Sequence, residues 1–185
     1  MIHDKDSVAA HARFARPRAA AHWIIAALIV SMLASGLVGL AEGNDDPGKI
    51  DILRIHMVVG LTTLAALLFY AVMALTTRRP PKAPSGHRLL DVLARLVHVG
   101  LPLCALVMVL SGIATAMAAG LGEVVFAGKA YRVPEIVRTL PTFHLHACAA
   151  RAMLVLLLLH LIGGLYHQFV LRDGLLGRMA PWGGR

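Results

Sequence analysis

Ten histidines are spread through 185 residues, and four of them, His22, His56, His146 and His160, lie in or at the edges of long apolar stretches. A neutral imidazole is a good iron ligand, and two opposed imidazoles make a low-spin centre that carries electrons. His146 and His160 occupy one hydrophobic stretch, fourteen residues apart. At 3.6 residues per turn that spacing returns to nearly the same helix face ~21 Å further along. One histidine then sits near each surface of a bilayer core ~30 Å thick. His22 begins the first apolar stretch and His56 the second, so a chain that threads back and forth brings each to the depth of one of the other two. Two bis-histidine sites, one above the other, predict two stacked b-type haems held by His22, His56, His146 and His160.

The elements that position these histidines follow from composition. The chain is 58% hydrophobic and 15% charged, too apolar for an ordinary soluble domain and typical of a polytopic membrane protein. The net charge of +8 suggests a nucleic-acid surface, but the basic residues cluster at segment ends and read as topology signals. Cys104 and Cys148 both fall in apolar stretches and form no Cys-x-x-Cys-His attachment motif, so haem should be held non-covalently. Both read as small buried residues.

Four stretches, about 19–41, 52–76, 89–119 and 141–171, are each long enough to cross. In lipid the backbone must satisfy its own hydrogen bonds, so these are helices. The expected fold is all-α, a transmembrane four-helix bundle forming one domain over residues 1–185. The first stretch is too long for a signal-peptide core, lacks a convincing cleavage site and carries His22-Trp23, so it is expected to be a mature helix. The connection from Gly120 to Leu140 is the longest and is expected to fold over the mouth of the bundle.

Lysine and arginine set the orientation. Eleven lie in the N-terminal tail, the second connection and the C-terminal tail, against five in the other two connections. The positive-inside rule therefore places both termini in the cytoplasm. His22 and His160 fall near the inner surface, and His56 and His146 near the outer one.

Other residues are secondary candidates. His144 and His146 point in nearly opposite directions; His146 shares a face with His160 and His144 is expected at the water boundary. His167 is again on nearly the same face, ~10 Å closer to the cytoplasm; it reads either as a quinone contact or proton acceptor, or as an interfacial histidine. His98 has no evident partner and is expected to make an interhelical hydrogen bond. Arg151 lies five residues into the membrane from His146, where an unpaired charge is costly; it either meets a haem propionate or snorkels outward. Arg54, close to His56, is a second propionate candidate. Ser35-Gly36, Gly39, Gly60, Ser111-Gly112 and Gly163-Gly164 read as packing surfaces, with Gly60 also able to make room for a porphyrin edge.

These residues bring a family into view. Ala21-His22-Trp23, Arg54-Ile55-His56, His146 followed by His160, and the run from His167 to Gly174 with Leu176 and Arg178-Met179 resemble the bacterial cytochrome b561 family, four-helix dihaem membrane cytochromes. The resemblance covers roughly residues 13–181. It implies pairing of His22 with His160 and of His56 with His146, in agreement with the depths above. It implies electron transfer between a small donor and a membrane quinone, and one member type passes electrons from superoxide to ubiquinone at the bacterial inner membrane. That would make the chain a quinone-linked oxidoreductase, with Lys129, Arg132 and Arg138 drawing the anion to the outer face. His167 matches a family position near quinone. The third connection carries Val124-Val125-Phe126 and no tryptophan, unlike the more aromatic loop of the superoxide-reacting type. The Ser-Gly elements are also similar to those of cytochrome b subunits in hydrogenase- or dehydrogenase-type assemblies. A docked electron-transfer subunit with a periplasmic or respiratory partner is thus the alternative. Histidine pairs ~21 Å apart make poor ion cages, which disfavours a metal transporter.

Overall fold

The computed structural model describes residues 15–39, 48–77, 85–128 and 132–180. Helix α1 (Arg16–Ala34) continues into a π-helical turn, Ser35–Gly39. It is followed by α2 (Gly48–Thr76), α3 (Arg88–Ala118), the short α4 (Leu121–Phe126) and a 3-10 turn, Glu135–Thr139. Helix α5 (Pro141–Tyr166) runs into a second π turn, His167–Leu171, and α6 (Leu175–Arg178) follows. Four segments, Arg16–Leu37, Gly48–Thr76, Arg88–Ala118 and Pro141–Leu171, are long and apolar enough to cross a membrane. The described residues contain no strand, and the expected all-α four-helix bundle forms.

The ends differ slightly from expectation. The first span begins at Arg16, because a proline in the first turn is already shaped for a helix and its missing N–H costs nothing there. Pro141 starts α5 in the same way. Residues 40 and 41 of the expected first span lie outside the described residues. So do His3, His11, the basic run of the second connection and Lys129.

The helices bury little against one another and present large apolar side chains outward. Ile24, Leu61, Leu110, Val155 and Ile162 are all more than half exposed, an arrangement suited to lipid rather than water. The interior instead holds small or flexible residues. Ala105 and Met108 of α3 pack on Ala149, Ala150 and Met153 of α5, with Leu33 of α1 beside them. Without bulky side chains between them, α3 and α5 approach closely, and the Cys104 thiol donates to the Ala149 carbonyl at 3.1 Å. Helices α1 and α2 form the other closely packed pair. Pro102 interrupts α3; it has no N–H to offer the carbonyl of His98 four residues earlier.

The connection between α3 and α5 folds over one end of the bundle, as expected. Leu121, Val125 and Val137 from this connection pack with Leu53 of α2, and Val133 and Phe143 seal the edge. We call this the capped end. The opposite end carries the start of α1 and the segment after α5; the Trp23 indole N–H donates to the Met179 carbonyl there at 2.8 Å. We call it the tail end.

Candidate functional site

At the capped end, His56 of α2 faces His146 of α5, with ring centroids 6.2 Å apart and planes at 72°. Both rings are backed by a Ser-Gly step on a neighbouring helix. The Ser35 hydroxyl donates to the Met32 carbonyl at 3.1 Å, which leaves its oxygen to accept from the His56 Nδ1–H at 2.8 Å. The Met108 carbonyl can only accept, so His146 also carries its proton on Nδ1, 2.8 Å away. The Ser111 oxygen lies 3.3 Å from the same nitrogen. In both rings Nε2 is left as the lone-pair donor, the tautomer a metal ligand needs. Gly36 and Gly112 lie close to these rings: a Cβ on Gly36 would sit 3.3 Å from His56 Cε1, and one on Gly112 would sit 3.2 Å from both Cε1 and Nδ1 of His146.

At the tail end, His22 of α1 faces His160 of α5 with centroids 6.1 Å apart and planes at 58°. The Trp23 ring packs edge-on against His22 at 5.7 Å. A third imidazole joins this group. His98 of α3 sets its ring 5.1 Å from that of His160, nearly perpendicular at 81°. Its Nδ1–H donates to the Ala94 carbonyl one turn back, at 2.6 Å. The interhelical hydrogen bond expected of His98 is therefore replaced by a bond within its own helix and a ring contact across to α5.

Metal–nitrogen bonds of about 2 Å, placed on opposite sides of one iron, set imidazole centroids about 6 Å apart. Both observed pairs match that separation. No group of three or more ligand-type side chains able to hold a metal ion occurs among the described residues. Each pair would hold a metal-bearing group between two helices, one imidazole from each, the way helix bundles commonly build cofactor sites.

The remaining candidates are distributed around these pairs. Arg54 donates from Nε and Nη2 to the Val125 carbonyl at 3.0 and 2.8 Å, and from Nη1 to Asp51 at 2.6 Å, so it clamps the capping segment to α2. Arg151 is exposed on α5. Gly60 abuts Met32 of α1, which makes it a packing position. His144 is exposed near the start of α5. His167 donates from Nδ1 to the Asp173 carboxylate at 2.6 Å, and Asp173 also accepts the Leu175 N–H at 3.0 Å. Partial burial pushes the Asp173 carboxyl up, but the bonds from His167 and Leu175, with Arg178 nearby, outweigh it and hold the group below the usual carboxylate range.

The sequence named His98, Ser35 and Ser111 but not their contacts with the paired rings, and it did not single out Lys49, whose side-chain nitrogen is buried at the capped end of α2 with no hydrogen-bond acceptor among the described residues. A signal existed for the serines, because the same Ser-Gly step occurs on the first and third spans. Read alone, each step looks like ordinary membrane packing.

A helical membrane bundle that pairs imidazoles across its interior at two levels has the architecture of a membrane haem protein. The family model described as prokaryotic cytochrome b561 matches residues 13–182, and the chain belongs to that family. It is a multi-pass bacterial membrane protein and a b-type cytochrome, a haem b binder that takes part in electron transfer. No curated protein and no solved structure matches it.

Proposed function

We propose that this cytochrome holds two haem b groups, one between His22 and His160 and one between His56 and His146, and moves electrons from a periplasmic donor to membrane quinone. The observation that carries this reading is the pair of imidazole separations, 6.1 and 6.2 Å, at two levels of one bundle. Haem b, when bound, supplies a reversible one-electron iron couple. The protein fixes the ring tautomers of His56 and His146 through Ser35 and Met108 and keeps space beside them with Gly36 and Gly112. Arg54, which retains N–H donors beyond those given to Val125 and Asp51, and Arg151 are assigned to propionates of the capped-end haem.

The positive-inside argument places the capped end at the periplasm and the termini in the cytoplasm of the bacterial inner membrane. Lys129, Arg132 and Arg138 would then draw an anionic donor, and superoxide is the donor we favour. Quinone, with ubiquinone the favoured type, is placed beside His167. The Asp173 carboxylate orients the His167 Nδ1–H, which leaves Nε2 to exchange a proton as quinone is reduced.

Pyridine haemochrome analysis of the purified protein tests the haem assignment. Two haem b per chain are expected, falling to one in His160→Ala, with the capped-end haem retained. Retention of both haems in that variant would sink the ligand assignment. Turnover of the purified chain with superoxide and quinone tests the rest. Haem reduction that never turns over, with co-purification of a redox partner, would instead make it a cytochrome b subunit of a hydrogenase- or dehydrogenase-type assembly.

A further inference from the structure

Lys49 lies in the first turn of α2 and is only 3% exposed. Its ammonium nitrogen is buried and meets no hydrogen-bond acceptor among the described residues. A charge taken out of water needs a counter-charge, or it strongly destabilises the fold. Its position adds to the problem, because the N-terminal end of a helix carries partial positive charge and favours anions. The acidic side chain of that turn, Asp51, is engaged by Arg54 at 2.6 Å.

The sequence spacing shows on which face of α2 Lys49 stands. Lys49, Leu53 and His56 stand at i, i+4 and i+7 and so share one face of α2. That face looks into the bundle: Leu53 packs with Leu121 and Val125 under the cap, and His56 meets His146. Along the axis Lys49 is about 10 Å beyond His56, toward the capped end. Haem b carries both its carboxylates on one porphyrin edge, so an edge turned toward the cap presents them to this level. Arg54 and Arg151, assigned above to the propionates, are both exposed and would meet the carboxylates from the solvent side. Lys49 is the buried cation on the ligand face.

We propose that Lys49 binds a propionate carboxylate of the haem held by His56 and His146. This rests on the two-haem reading above. The carboxylate compensates the buried ammonium, and the ammonium fixes which porphyrin edge points to the cap. Because the ammonium is buried, a carboxylate on the surface of another protein does not reach it.

Redox titration of the purified holoprotein tests this, with Lys49→Met and Lys49→Arg compared against wild type and His160→Ala used to identify the capped-end signal. Loss of a positive charge beside the haem favours the oxidised iron. Lys49→Met should therefore lower the midpoint potential of the capped-end haem and leave the tail-end haem unchanged, while Lys49→Arg stays close to wild type. If Lys49→Met loses the capped-end haem altogether, Lys49→Arg decides: retention there supports the proposal, and loss in both variants overturns it. Unchanged potentials in a two-haem Lys49→Met protein also overturn it; that variant should then gain thermal stability, since an uncompensated buried charge has been removed. A wild type without haem between His56 and His146 would instead refute the two-haem reading itself.

Discussion

Ser35 and Ser111 occupy equivalent places beside the two capped-end histidines, but they are not equally important. Ser35 is the hydrogen-bond partner of His56 Nδ1 at 2.8 Å. Ser111 is the longer of two partners for His146, at 3.3 Å against 2.8 Å for the Met108 carbonyl. An acceptor on the far nitrogen raises ligand basicity, and its loss typically weakens metal binding by about 10–100-fold. Ser35→Ala should therefore raise the capped-end midpoint potential and weaken haem retention, with a much smaller effect in Ser111→Ala; potentiometric titration of the two variants reads the difference. Equal effects would mean that the serines act through packing. Gly112→Ala acts by a different route. Its added methyl would lie 3.2 Å from two ring atoms of His146, tighter than ordinary van der Waals contact, so the ring must tilt. The expected outcome is about half the haem per chain, measured by haemochrome, with the helical circular dichroism retained. Whether the carbonyl of Met108 or the serine holds each ring is not legible in sequence, because it depends on the rotation of one helix against another.

At the scale of elements, the two π turns stand out. Ser35–Gly39 and His167–Leu171 each prolong a spanning helix; the first opens with the serine beside His56 and the second with the proposed quinone-side histidine. A widened turn re-aims the side chains that follow it, which is why such turns recur at functional positions. After the second one, Arg172 at φ 54° and Gly174 at φ 70° fold the chain back so that Asp173 reaches His167. The sign of the pH effect follows from the Asp173 carboxyl lying below its ordinary value. Its contribution is complete above the usual carboxylate range and is lost as pH falls through the lowered folded-state value. Hydrogen-exchange protection over residues 172–178, relative to the intrinsic rate at each pH, should therefore be unchanged between neutral and mildly acidic pH and should fall only below the ordinary carboxylate range. Asp173→Asn should slow quinone reduction while both haems remain bound; an unchanged rate would remove the pair from proton exchange.

For the whole molecule, orientation decides which histidine pair meets the donor. The proposed topology predicts that a reporter fused at the C-terminus works only if it folds in the cytoplasm, and that one inserted between Gly120 and Leu140 works only if it folds in the periplasm. Green fluorescent protein and alkaline phosphatase distinguish these; the opposite pattern would move the electron donor to the tail end. The capping segment gives this asymmetry a structural counterpart. Arg54 ties Val125 to α2, so the capped-end pair lies beneath a packed layer of the chain's own residues.

The sequence by itself determined the four spans and which histidines could pair, because length, hydropathy and a fourteen-residue spacing are properties measured along one dimension. It also carried the family resemblance. It did not determine how each helix is turned about its own axis. Helices α1, α2 and α5 are apolar on nearly every side, as lipid requires, so no polar stripe marks the inward face. Only the tertiary structure turned Ser35 and Ser111 toward the capped-end rings, set His98 against His160, committed Arg54 to a backbone carbonyl and buried Lys49. These are contacts between residues distant in the chain, fixed by close packing of helices whose sequences alone leave their rotation open.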